Sequence, residues 1–228
     1  MGKRLFAVFT FWLAGTAAAQ SGLTQTETHW LQLSAPAIAY AREQGLPLDI
    51  VVQPQPTPGN APLAMAYLNG RCKLVLSIRG NPEAQTSLDT IPPDLLQPVV
   101  EAMAAHELGH CWRYMRGAWH TLPAGFAPAQ GDADPALREQ LREMQQTRRE
   151  EAFADLVGLA WTLKKHPQHY AQVHAWFVTY RQHDTLPGSH HDTLAWVKLA
   201  AEPAAFTAAG TPFEQAWPLW QQGLRAGQ

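Results

Sequence analysis

Residues 99–110 read Val-Val-Glu-Ala-Met-Ala-Ala-His-Glu-Leu-Gly-His, and no other stretch restricts the fold as much. Val99, Val100, Met103, Ala104 and Ala105 predict a helix buried over most of its surface. Into that helix the sequence sets His106, Glu107 and His110. Polar groups in such a place are costly unless they coordinate or pair. The i, i+4 spacing puts both imidazoles on one helix face, one turn apart. Two ring nitrogens there can grip one Zn²⁺ at about 2.0–2.1 Å. Glu107 falls on the neighbouring face, where it can reach a water beside the metal without being a ligand.

A catalytic zinc needs a third protein ligand and one open position. Residues 150–155, Glu-Glu-Ala-Phe-Ala-Asp, supply the best candidates. Glu151 and Asp155 are four apart on a predicted helix and share a face. Glu151 is expected to complete the ligand set. Asp155 is expected to accept the second ring N–H of a ligating histidine and so fix its tautomer. Glu150 is the alternative ligand, but it has Ala154 rather than a carboxylate one turn on, so Glu150→Gln is expected to cost little. A glycine and a third histidine, three and six residues after His110, would make another kind of zinc helix. Those positions hold Arg113 and Arg116, which leaves His120 as a remote further ligand.

His106-Glu107-x-x-His110 followed by Glu151-x-x-Ala154-Asp155 resembles the gluzincin metallopeptidases. At clan level it is most similar to the group that includes CAAX prenyl proteases and periplasmic quality-control peptidases. The resemblance covers residues 99–158. It implies His106, His110 and Glu151 as ligands, Glu107 as general base and Asp155 behind the ligands. It also implies a zincin-like fold with an edge strand over the cleft, for which residues 72–78 are the expected segment. The several membrane helices of the prenyl proteases have no counterpart here. His166-Pro167 follows Glu151 too soon to match the group's downstream His-Pro element, and residues 189–192, Ser-His-His-Asp, stand in the comparable place. His190 and His191 are therefore candidates to stabilise a transition-state oxyanion, with Tyr180 and Arg181 beside them. Ser189 or Asp192 as a helix cap is the competing reading. Trp112 and Trp119 flank the motif and are candidates to line a cleft.

Around the motif the pattern predicts an α+β chain: a small antiparallel sheet, the active-site helix, then a mostly helical C-terminal part. Helices are expected over 28–44, from 93 or 98 to 115, and over 135–165, 170–183, 193–201 and 212–224. Strands are expected at 48–52, 63–68 and 72–78, the last two joined by Asn69-Gly70, a strong hairpin signal. Residues 53–62 are proline-rich and read as a surface loop. Residues 79–93 read as turns.

Lys3 and Arg4, an apolar run and then Ala17, Ala18 and Ala19 form the pattern of a secretory signal over 1–19. Residues 20–228 are expected to form one domain, periplasmic or secreted, with no stable membrane insertion. Seventeen Lys and Arg against nineteen Asp and Glu give a net charge of −2, which offers no footprint for nucleic acid. In an exported chain the two cysteines, Cys72 and Cys111, are expected to form a disulfide. The chemistry expected of these residues, with one Zn²⁺ per chain, is hydrolysis of peptide or protein substrates by a metal-activated water. A zinc-dependent amidase or cell-wall hydrolase, and a zinc-binding protein without catalysis, remain open alternatives.

Overall fold

The computed structural model describes residues 22–53, 61–127, 135–183, 186–206 and 209–226. The expected signal sequence and the core of the proline-rich loop, residues 54–60, lie outside the described residues. Helix α1 (Gln25–Glu43) starts ahead of the expected residue 28 because of a capping box. Thr24 Oγ1 accepts from the Glu27 N–H, and the Glu27 carboxylate accepts from the Thr24 N–H. Two donors at the helix end are thereby satisfied.

Strands β1 (Leu48–Val52), β2 (Leu63–Leu68) and β3 (Arg71–Leu76) form a sheet in the order β1-β3-β2. Asn69 and Gly70 take φ of 54° and 73°, and the antiparallel β2–β3 hairpin turns on them as expected. β1, however, pairs parallel to β3. The sheet is mixed, not antiparallel, and β3 is its central strand, not an edge. Its inward residues Cys72, Leu74 and Leu76 have no exposure at all, as suits a strand flanked on both sides. The hairpin turn specifies one neighbour of β3. It says nothing of the other, which arrives through the connection after β1. The edge strand near the motif is β2.

Helix α2 (Pro82–Asp89) occupies the segment expected to be turns. Asn81 caps it by accepting from the Glu83 N–H, and Pro82 takes the first helical position. Helix α3 (Leu96–Met115) carries the motif. Pro98 is its third residue, where a missing N–H costs nothing.

Helix α4 (Pro135–Lys165) packs along α3, and two glycines allow the close approach. A Cβ on Gly109 would lie 3.2 Å from Ala154 Cα, and one on Gly158 would lie 2.8 Å from the Ala102 carbonyl oxygen. Gly109 stands beside His110, so this contact brings α4 against the motif. Helices α5 (Tyr170–His183), α6 (Leu194–Leu199) and α7 (Pro212–Arg225) surround α4. A Cys72–Cys111 disulfide, Cα–Cα 5.7 Å, ties β3 to α3 one residue after His110. No helix among the described residues is long and apolar enough to cross a membrane.

Candidate metal centre

The close α3–α4 contact sets Glu151 opposite the two histidines. His106 Nε2 lies 3.3 Å from Glu151 Oε2, and His110 Nε2 lies 3.4 Å from Glu151 Oε1. The two Nε2 atoms are 3.2 Å apart. His106, His110 and Glu151 can thus each offer one ligand atom to a single metal ion, all within 4.8 Å of one another. Two imidazoles and one carboxylate form a donor set suited to a catalytic zinc, with room for a fourth ligand.

Asp155, one turn beyond Glu151, stands behind this cluster with no exposure. Its Oδ1 is 3.0 Å from His106 Nδ1, which directs the other ring nitrogen at the cluster. Arg181 grips the same carboxylate through Nε at 2.8 Å and Nη2 at 2.6 Å, and Thr193 Oγ1 donates to it. Burial pushes Asp155 up, but Arg181 and His106 outweigh it and hold the carboxyl at about 2. For Glu151, burial is more than reversed by His110 and His106, so it stays well below 4.5. Burial pulls His106 down, yet its hydrogen bonds to the Asp155 and Glu151 carboxylates raise it to about 10. The site is therefore arranged to hold positive charge between the histidines and Glu151.

Glu107 lines the same cleft, about 630 Å³ in volume. Burial raises its carboxyl, and the Met65 backbone N–H on β2 donates to it. Desolvation thus gives the carboxylate a greater affinity for a proton than it has in water.

The other candidates separate. His191 Nε2 is 3.7 Å from Glu151 Oε2, and burial lowers the ring to about 4. His190 instead lines a side groove with Leu137, Leu141 and Met144. Tyr180 lines the cleft, while Arg181 is engaged by Asp155. Trp119 faces the cleft, its ring 5.5 Å from that of His110. Trp112 stacks on Phe153 and Phe213 in the interior and is no cleft residue. His120 stands outside the metal cluster.

Glu150 requires a correction. It is 1% exposed and pairs with Arg113, itself 0% exposed, through two 2.8 Å hydrogen bonds. It is an internal anchor that stands outside the metal cluster, and its replacement by Gln would leave Arg113 buried without its partner. Arg113, Thr193 and the Met65 N–H were not foreseen. The one hint was Arg113 itself, a charge three residues after His110 on a helix otherwise buried.

Comparisons with protein-family models, with curated proteins and with solved structures find no match for this chain, so the site is read from its own residues.

Proposed function

We propose that this chain is a zinc-dependent peptidase with a glutamate general base. The observation that carries the reading is the convergence of His106, His110 and Glu151 on one point, with Glu107 beside them in an open cleft. A bound Zn²⁺ would polarise the scissile carbonyl and acidify a water at this point. Glu107, held partly desolvated, takes the proton of the attacking water and passes it to the leaving amine. Asp155 keeps His106 in the ligating orientation, and Arg181 keeps Asp155 charged. His191, at the mouth beside Glu151, is positioned to face a developing oxyanion; His190 is not.

A polypeptide suits the cleft for a backbone reason. In the β2–β3 ladder, alternate residues of β2 turn their N–H and C=O groups away from β3. Pro62 accepts from the Ser77 N–H, which places Leu63, Met65 and Tyr67 in the outward set. Leu63 and Met65 line the cleft; the Met65 N–H is given to Glu107, and an extended substrate can add through the other outward groups of this edge. The disulfide supports a periplasmic or secreted setting, since such bridges persist in oxidising compartments.

The test is a mixed peptide library and a peptidoglycan digest, each incubated with zinc-loaded protein. Peptide cleavage is the expected result. Cleavage of peptidoglycan alone would make the enzyme an amidase. Cleavage of neither would leave a zinc-binding protein without catalysis.

A further inference from the structure

Beside the metal cluster Tyr114 and Trp119 line the cleft, as part of a run of stacked aromatic rings. Tyr67 of β2 stacks on Tyr114 of α3, centroids 5.0 Å apart and 6° from parallel. Tyr114 stacks on Trp119 at 3.9 Å and 14°. Trp119 then meets the ring of His110 at 5.5 Å and 77°. This wall therefore begins one ring from the candidate ligand His110, within reach of a substrate side chain next to a bond cleaved there.

The loop that carries Trp119 is fixed from behind. His120 sits at φ 59°, a conformation a side chain other than glycine rarely takes without compensation. The compensation is visible. The His120 N–H donates to Glu150 Oε1 at 2.9 Å, and the Thr121 carbonyl accepts from Arg113 Nη2 at 3.0 Å. The buried Arg113–Glu150 pair thus holds the backbone on one side of Trp119. Observed strain held by surrounding structure is common at ligand clamps. A wall fixed in this way loses little freedom when it grips a ligand.

The charge pattern narrows what it grips. Among the described residues, the acidic and basic side chains lining the cleft, histidines aside, are Glu107, Glu151, Asp155 and Arg181; Glu151 belongs to the metal cluster, Glu107 stands beside it, and Asp155 and Arg181 stand behind it. Tyr114 stacks between Tyr67 and Trp119, and Trp119 stacks on both Tyr114 and His120, so these two rings offer their edges to the cleft, with Met65 as apolar surface beside them. Ring edges take up the face of another aromatic ring, in edge-to-face contact.

We infer that Trp119 is a specificity-determining residue: it selects polypeptides with an aromatic side chain adjacent to the scissile bond. This rests on the peptidase reading above.

The experiment uses two hydroxamates of one backbone, bearing a benzyl or a methyl side chain, titrated into zinc-loaded protein. Peptides with Phe or Ala flanking the cleaved bond are assayed in parallel. The wild type should bind the benzyl compound about tenfold tighter or better. In zinc-loaded protein Trp119→Ala should bring the ratio near one, and Trp119→Phe should restore it. A zinc-loaded Trp119→Ala protein that keeps the ratio overturns the inference, as does a wild type without preference. Should Trp119→Ala fail to hold zinc, Trp119→Gln is measured with the same two outcomes. Benzyl preference without cleavage of any peptide would retire the peptidase reading and leave this wall standing. Cleavage without preference would do the reverse.

Discussion

At the scale of single residues, adjacent glutamates have opposite duties. Glu151 turns to the cluster, and Glu150 turns inward to Arg113. Removing one partner of a buried ion pair costs far more than the pair adds. Glu150→Gln should therefore lower the unfolding free energy by about 3 kcal/mol in urea denaturation. Glu151→Gln should cost less in the metal-free protein and abolish tight metal binding. Equal stability of Glu150→Gln and wild type would contradict this. The two acids cannot be ranked in this respect from their order alone. Asp155 one turn after Glu151 was legible, because helical spacing fixes which residues share a face. The partner of Glu150 was not, since Arg113 lies 37 residues away on another helix.

At the scale of elements, the centre depends on how closely α3 and α4 meet. Gly158 is the tightest point, with no room for a Cβ against the Ala102 carbonyl. Gly158→Ala should destabilise by about 1–3 kcal/mol, read from denaturant unfolding, and weaken zinc binding by moving Glu151 off the histidines. Unchanged affinity in a chelator competition would show that the helix contact does not set the ligand geometry. At the other end of the fold, α1 is pinned to the segment after β3 by Arg79, whose Nη2 is 2.8 Å from Glu27 Oε2. Hydrogen bonds from Arg79, above all, hold Glu27 below its usual 4.5. A carboxyl depressed in the folded state contributes stability that is present above pH 4.5 and lost as the pH falls through the lowered value. Arg79→Met should remove that contribution, so acid unfolding of the variant begins at a higher pH, followed by circular dichroism. The helices were largely legible from apolar spacing. The parallel seat of β1 was not, because no local signal records which neighbour a strand meets. α2 went unseen, though Asn81-Pro82 carried its start signal.

At the scale of the whole molecule, three cross-links tie β3, α3, α4 and α5 into one chain of contacts. The disulfide joins β3 to α3 at Cys111, the Arg113–Glu150 pair joins α3 to α4, and Asp155 joins α4 to α5 through Arg181. All three lie within a few residues of a candidate metal ligand, where the proposed chemistry needs fixed geometry. The α+β frame and the disulfide were both expected from the sequence. The mixed order of the sheet was not, and it moves the proposed substrate edge from β3 to β2. The central claim is that His106, His110 and Glu151 hold a zinc ion on which Glu107 acts without binding it. The direct measurement is zinc content and peptide cleavage on the same preparations of wild type, His110→Ala and Glu107→Gln. Wild type and Glu107→Gln should each hold about one zinc per chain, His110→Ala close to none, and only wild type should cleave. Full zinc retention by His110→Ala, or undiminished cleavage by Glu107→Gln, would contradict the account.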